Sequence, residues 1–521
     1  MRLSTVSRWR PTLFDPSNGR RRPSFVEGLE EAPGQSKNLC GVNGEVPRKP
    51  NIVLIVTDQQ RYDTIAALGF EGPITPNLDR LVREGISFDN CFVNAPACGP
   101  ARGAMFSGYW PHTSGNLKNG DPWQQTWVGN LGKVGYHTAN VGKMHFTPYD
   151  AQGGFDFRFN VENKQRFRQW RAYQDEWDKE LARRGMTKYQ REDLEKRSDY
   201  WISLGAFAWE KDPDMHPDNF LGKAAVDWIE NYSRSDPFFL CIGFPGPHPP
   251  YDPTPDWLDR YSETEFDLLP LQIKEYIQHP RTLIDMAEHN TQVAHDSIQF
   301  VTFPNESHRQ RQRRFYMANV SMVDAWIGRI RASLESRGLL ENTVIVFTSD
   351  HGDSLTDHFC SQKWTMYDQV VRVPAIVWAP QRYGGGRRIA EQVQWFDLGA
   401  TVLDIAGAEA LPGSEADSLL PALAGAEFAG REYVFSEHGR EDVMGLYCEH
   451  MTMVRSKDYK LVHFLGDDRG QLFDLNEDPQ ELFNLWDDPS HRQTRTELIG
   501  VIGDWLVESS YRSSPRADAW R

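Results

Sequence analysis

Two stretches of the chain, NIVLIVTD at 51–58 and TVIVFTSD at 343–350, are nearly continuous runs of β-branched and other apolar residues that stop abruptly at an aspartate. A half-buried strand would alternate apolar and polar residues; an unbroken apolar run belongs in a sheet covered on both faces, the usual setting of parallel strands. Each run then delivers a carboxylate and a polar neighbour, Asp58-Gln59 and Asp350-His351, to its C-terminal end, where an open parallel sheet binds its ligands. Hard oxygen donors with one imidazole suit a divalent cation such as Ca²⁺, Mg²⁺ or Mn²⁺. A single aspartate after a strand is most often a turn or a cap. The same ending on two buried strands argues instead for a shared site.

Helical patterns lie between these runs. TPNLDRLVREGISF places Leu78, Leu81 and Val82 on one stripe and stops at Gly85, and YMANVSMVDAWIGRIRASLESRGLL places Val323, Ile327, Ile330 and Leu334 on another and stops at Gly338. Strands alternating with helices predict an α/β fold with a large, mostly parallel sheet flanked by helices. At 521 residues the chain exceeds one hydrophobic core, so a large domain at 49–430 and a smaller one at 431–521 are expected. Residues 157–219, rich in Arg, Lys, Glu, Gln and Trp with weak periodicity, read as a solvated helical insertion, with a lid as the functional alternative.

A net charge of −16 argues against nucleic acid or an anionic membrane as partner, so any anionic substrate must meet local positive charge. No apolar run reaches membrane-spanning length. Residues 1–48 are rich in Arg, Pro, Gly and Ser and contain no apolar leader core, so they read as a flexible extension, with the true start site open and the chain expected to be cytoplasmic. Six cysteines, at 40, 91, 98, 241, 360 and 448, are too few and too scattered for a disulfide scaffold, although Cys91 and Cys98 are close enough in sequence to pair.

In ACGPARGAMFSG, residues 97–108, Pro100 suits the first position of a helix, with Cys98 and Gly99 just before it. The free amides of that helix start and Arg102 beside it make a site for an anion against residue 98. A buried, inert cysteine is an equally good reading of these residues alone. NVGKMHF sets Lys143 and His145 two apart on a strand-like segment, facing one way; FFLCIGFPGPHPPYDP runs a buried strand into a Pro-rich loop carrying His248; CSQKWTMYDQVVRVP carries Lys363. Taken singly, each is an ordinary structural histidine or a solvated lysine.

Taken in order, the stretches between residue 50 and about 490 resemble a type I sulfatase of the alkaline phosphatase superfamily. Cys98-Gly99-Pro100-Ala101-Arg102 is similar to the family's C-x-P-x-R pentapeptide, with TDQQR before it, GKMH about forty residues after it, and SDHGD and QKWTMYD near the end. The resemblance implies an alkaline phosphatase-like fold with a smaller C-terminal α+β subdomain, in which DYKLVHF and GQLFDLNEDPQELFNLWDD supply paired strands followed by a helix. It also implies that a formylglycine-generating enzyme oxidises Cys98 to formylglycine. One divalent ion would be bound by Asp58, Gln59, Asp350, His351 and an oxygen of the hydrated aldehyde at Cys98. Arg102 and Lys143 would hold that hydrate, and His145, His248 and Lys363 would contact the sulfate and the leaving oxygen, with a cationic His248 protonating the alcohol or stabilising its charge and His145 as the alternative. The implied activity is arylsulfatase-type hydrolysis of a small-molecule or saccharide sulfate ester through a sulfated intermediate.

Three positions depart from the commonest family pattern. Gln59 stands where many members have Asp, and His351 where many have Asn, which resembles the phosphonate monoester hydrolases and choline sulfatases of the same superfamily; a softer nitrogen donor favours Mn²⁺ over Ca²⁺. Gly99 is less usual than Ser or Thr, and C-G-P-x-R is similar to the phosphonate monoester hydrolases, which makes phosphonate monoester or phosphodiester hydrolysis the alternative. The Lys143 and His145 pair favours sulfate. An unmatured, non-catalytic metal-dependent binding protein is the reading from another class.

Overall fold

The first apolar run forms strand β1 (Asn51–Asp58) and is buried at all eight positions. Ile52, Leu54 and Val56 pack into one hydrophobic core, whereas Val53 and Ile55 pack into another, so the strand is covered on both faces. The computed structural model describes residues 48–162, 164 and 173–513; the extension expected at 1–48 lies outside them apart from Arg48.

Chain order continues with β2 (Ile86–Phe92), β3 (His137–Gly142), β4 (Phe157–Phe159), β5 (Phe238–Pro247), β6 (Thr343–Ser349), β7 (Arg372–Trp378) and β8 (Arg387–Gln394). These strands form one sheet in the order β4-β3-β5-β1-β6-β7-β2-β8. β1 pairs in parallel with β5 and β6, and β7 alone runs against its neighbours. The register sets Thr57 opposite Ser349, so Asp58 and Asp350 leave adjacent strands at the same edge.

Helices cover each face. Pro76–Glu84, Pro217–Asn231 and Glu306–Ser336 bury their apolar stripes, Leu78, Leu221 and Ile327 among them, in one core. Cys98–Ser107 and Asp397–Ala406 bury Met105, Phe106 and Val402 in the other. The long helix starts at Glu306, well ahead of the apolar stripe that begins at Val323, with the Asn305 side chain accepting from His308 N at 2.9 Å as its cap. Its first turns are held by charge: Arg309 and Arg313 reach buried Asp357 at 3.1 and 2.6 Å.

The segment 157–219 differs from the solvated insertion read in the sequence. It supplies edge strand β4 and buries Trp177, Leu181, Trp209 and Met215 in the main core. Trp177 and Leu181 sit four apart on the short helix Glu176–Arg183, too brief for a stripe to stand out, and Trp209 reaches the core from a stretch outside any helix or strand.

A second, antiparallel sheet follows in the order β12-β11-β10-β9, built from β9 (Val434–Glu441), β10 (Leu446–Arg455), β11 (Tyr459–Leu465) and β12 (Gln471–Asp474). One face presents Met451, Met453 and Val462 to the main core; the other packs Phe435 and Val454 against Leu498, Ile502 and Trp505 of the helix Arg492–Ser513. DYKLVHF and GQLFD are the expected paired strands, but NEDPQELFNLWDD is a loop. Asp474 accepts from Asn476 N and Asp478 from Phe483 N, side-chain bonds that compete with a helix, so the helix begins only at Arg492.

Candidate active site

Four adjacent parallel strands converge at the edge where β1 and β6 end. Lys143 follows directly on β3, and its N–H donates to Gly243 O of β5 at 2.9 Å. His248 follows on β5. The Lys-His pair is not strand-like, as the alternation suggested: Gly142 and His145 take φ of 109° and 64°, and the Glu162 carboxylate accepts from His145 N at 3.0 Å. Lys143 and His145 are therefore presented from an irregular turn.

The helix Cys98–Ser107 begins two residues before Pro100, with Ala97 as its N-cap. Cys98 is thus the first helical residue and sits at the positive end of the helix, and Pro100 occupies a first-turn position where no amide partner is required. Gly99 N donates to Asn119 Oδ1 at 2.9 Å. Cys91 and Cys98 are separate, buried thiols.

Cys98 Sγ lies 3.1 Å from Lys363 Nζ, 3.2 Å from His351 Nε2 and 3.6 Å from Asp58 Oδ1. Burial and Asp58 push its thiol up, but Lys363, Lys143 and His351 outweigh them and leave it below the ordinary thiol range. Asp58 is fully buried and ion-paired with Lys143. Burial opposes its ionisation, yet Lys143, His248 and Lys363 hold the carboxyl well below the usual range. Arg102 Nε donates to Asp350 Oδ2 at 2.7 Å, and its Nη1 donates to Lys143 O at 2.8 Å. Arg102 therefore fixes one carboxylate and the turn that carries Lys143.

Gln59 adopts φ 71°, a costly conformation for a residue with a Cβ. Four bonds hold it there: Gln59 N donates to Asp350 Oδ1 at 3.1 Å, Tyr316 OH donates to Gln59 O at 2.7 Å, Gln59 Nε2 donates to Asp353 Oδ2 at 2.7 Å, and Lys363 Nζ donates to Gln59 Oε1 at 3.0 Å. The amide oxygen is thereby turned toward the same lysine that faces Cys98.

Asp58, Cys98, Asp350 and His351 each offer a ligand atom within 4.8 Å of one another, all buried. His351 Nδ1 is 2.8 Å from Gly352 O, which leaves Nε2 as the acceptor facing the cluster. Two carboxylates, an imidazole nitrogen and a residue-98 heteroatom fit a divalent cation. Arg102 Nη2 and His145 Nδ1 are buried polar atoms with no hydrogen-bond partner among the described residues, as a site shaped for an oxygen-rich ligand would leave them.

The histidines differ from the sequence reading in one respect. His248 Nδ1 lies 2.7 Å from Pro249 O, and burial and Lys363 hold its pKa well below the ordinary value. Free His248 is therefore neutral near pH 7 rather than cationic. Burial and Lys143 likewise bring His145 down to about 3.

Asp353, Tyr251, Glu162, Asp296 and Asn119 were not singled out in the sequence. Asp353 lay within SDHGD but one residue beyond the strand-end pattern. Tyr251 OH donates to Asp353 Oδ2 at 2.7 Å, a contact between distant segments that no local spacing signals.

The sulfatase family model matches residues 50–408 of the chain. The chain belongs to the sulfatase family. The model for the C-terminal region of N-sulphoglucosamine sulphohydrolase matches residues 356–504 of this sulfatase. It is 28% identical to an arylsulfatase of Clostridium perfringens, over 83% of this chain and 89% of the relative. It is 25% identical to an N-acetylglucosamine-6-O-sulfatase of Bacteroides thetaiotaomicron, over 88% and 86%. A phosphonate monoester hydrolase of Agrobacterium radiobacter shares the fold, with a TM-score of 0.72 at 22% identity, over 88% of this sulfatase and 96% of that chain. The family assignment makes the chain a sulfuric ester hydrolase.

Proposed function

We propose that this sulfatase hydrolyses the sulfate monoester of a saccharide or other small alcohol, with residue 98 matured to formylglycine and one divalent ion, Ca²⁺ or Mn²⁺, held by Asp58, Gln59, Asp350 and His351. The observation that carries the reading is the convergence of Lys363, His351 and Asp58 on the single atom Cys98 Sγ at 3.1, 3.2 and 3.6 Å.

A sulfate ester resists attack because its oxygens are anionic, so fixed positive charge must precede the nucleophile. Lys363, Lys143 and Arg102 supply it from three segments of the chain. When bound, the ion adds charge and acidifies a hydroxyl beside it. As a hydrated aldehyde, residue 98 offers one hydroxyl for attack on sulfur and a second whose deprotonation expels sulfate and restores the aldehyde, an exit that a serine or cysteine lacks.

His248 has its Nδ1 engaged by Pro249 O, so Nε2 is free to act. Burial and the Lys363 charge keep the imidazole neutral; the entering anion offsets the Lys363 part, so His248 takes up a proton with substrate and releases it to the leaving alcohol. Neutral His145, held by Glu162 at its backbone, serves as a hydrogen-bond partner to the sulfate.

Production with a formylglycine-generating enzyme, followed by mass spectrometry of the tryptic peptide 84–102, tests the nucleophile, with Cys91 as the internal control. Conversion at position 98 alone is expected, together with turnover of 4-nitrophenyl sulfate that is lost on chelation and returns with Ca²⁺ or Mn²⁺. A persistent thiol overturns the nucleophile assignment. Preference for a phosphonate monoester over the sulfate moves the site to the alternative reading, and full esterase activity in Cys98→Ala rules out the mechanism.

A further inference from the structure

A site rich in cations contains one carboxylate that its chemistry does not use. Asp296 Oδ2 lies 3.8 Å from His248 Nε2, with the Asp296 side chain 19% exposed. No described residue donates a hydrogen bond to Asp296, in contrast to Asp58, Asp350 and Asp353, which are all engaged. Burial pushes its carboxyl up from the ordinary range, and the opposing pull comes first from Lys363, which also faces Cys98.

The turn that presents Asp296 is costly. Asp296 and Ser297 take φ of 50° and 62°, two consecutive left-handed residues with side chains. The turn is clamped by Ile298 N donating to His295 O at 2.9 Å and by Gln362 Nε2 donating to the same oxygen at 3.2 Å. Gln362 adjoins Lys363, so the loop that carries the sulfate-facing lysine also holds the acidic turn in place through a side chain.

A carboxylate near a bound sulfate is repelled by it and pulls against the lysines that neutralise it. It earns a place there only if the substrate brings a donor to it. Resting on the sulfatase reading above, we infer that Asp296 is a specificity residue that accepts a hydrogen bond from a hydroxyl or ammonium group on the alcohol half of the substrate, beside the leaving oxygen that His248 protonates. The substrate class is then a polyol or amino-sugar sulfate rather than a plain aryl or alkyl sulfate. Hydrogen bonds to a charged group discriminate strongly, because the analogue without the donor leaves the half-buried carboxylate covered and unpaired.

The test compares glucosamine 6-sulfate with cyclohexylmethyl sulfate, which keeps the ring and the primary sulfate ester but has no donors. Asp296→Asn is expected to lower kcat/KM for glucosamine 6-sulfate about 10- to 100-fold and to change the donor-free ester less than about threefold. Equal losses on both esters would assign Asp296 to positioning His248 and overturn the inference, as would no loss on either.

Calorimetry on Cys98→Ala, which cannot be matured, decides the same point without turnover. Glucosamine 6-sulfate should bind at least about tenfold more tightly than cyclohexylmethyl sulfate, and adding Asp296→Asn should erase the difference. Indifference to the second substitution overturns the inference even when the enzyme is active. A matured wild type that cleaves no sulfate ester sinks the sulfatase reading separately, since the binding comparison still stands.

Discussion

Lys363 Nζ stands 3.1 Å from Cys98 Sγ, which joins the start of a helix near the N-terminal end of the sheet domain to a loop 265 residues later. The same ammonium donates to Gln59 Oε1 at 3.0 Å, so three separate segments are held around one positive charge. In the proposed mechanism, replacing Lys363 by Ala removes a charge aimed at the sulfate as it transfers. Losing one such preorganised group typically costs about 10²–10³ in kcat. A loss of that size in kcat, with a smaller change in KM, is expected from steady-state kinetics on the matured enzyme.

In the proposed mechanism His248, neutral in the free protein, acts on the leaving oxygen only once it has taken a proton. Its worth should then depend on how badly the alcohol needs one. General acids contribute about 10²–10⁴ where the leaving group is poor. His248→Ala should cost that much with an alkyl or sugar sulfate and less than about tenfold with 4-nitrophenyl sulfate, whose leaving group departs unaided. Equal losses on the two esters would place His248 on the sulfate rather than on the alcohol.

The C-terminal helix is tied to the sheet domain by a charge pair of a different kind. His112 Nδ1 is 2.7 Å from Glu437 Oε1, and His112 Nε2 is 2.9 Å from Ser509 Oγ. Burial opposes both charges, but hydrogen bonds from His112 and His450 bring Glu437 down to about 2, and Glu437 raises His112 above its ordinary 6.5. A raised histidine stabilises fully below 6.5 and less as pH rises through its folded value, while a depressed glutamate stabilises above 4.5 and less as pH falls toward 2. The pair is therefore strongest between about pH 4.5 and 6.5. Thermal melts should show His112→Gln losing more Tm relative to wild type at pH 6 than at pH 9, and a constant difference would sink this account.

Much of this architecture is legible before any coordinates. Unbroken apolar runs read as doubly covered strands because an exposed face would demand polar residues, and Asp58 and Asp350 do emerge side by side. Helical stripes with glycine stops located Pro76–Glu84 and the later part of Glu306–Ser336. The illegible parts are those set by partners far away in sequence. Trp177 enters the core from a short helix and Trp209 from a stretch outside any helix or strand, and the neutral state of His248 depends on burial and on Lys363 across the fold. Asp353 and Asp296 sit in no spacing pattern, because their orientation comes from Tyr251, Gln59 and Gln362.

Gly99 shows how a departure in the pentapeptide is compensated locally. A Cβ added there would lie 2.9 Å from Asn119 Oδ1 and 3.3 Å from Asn119 Cα, and Gly99 N donates to that same Oδ1 at 2.9 Å. A serine at this position must push Asn119 aside and break the bond that satisfies a first-turn amide of the helix Cys98–Ser107. Overpacking of this kind costs about 1–3 kcal/mol, and the lost hydrogen bond about 1 more. Gly99→Ser alone should therefore destabilise the protein, whereas Gly99→Ser with Asn119→Gly removes the tighter contact, that with Oδ1, and leaves only the 3.3 Å approach to the Cα. Denaturant unfolding of the two single variants and the double variant should give a coupling energy of about 1–2 kcal/mol in favour of the pair. Strict additivity would mean that Asn119 moves freely and that glycine at position 99 has another cause.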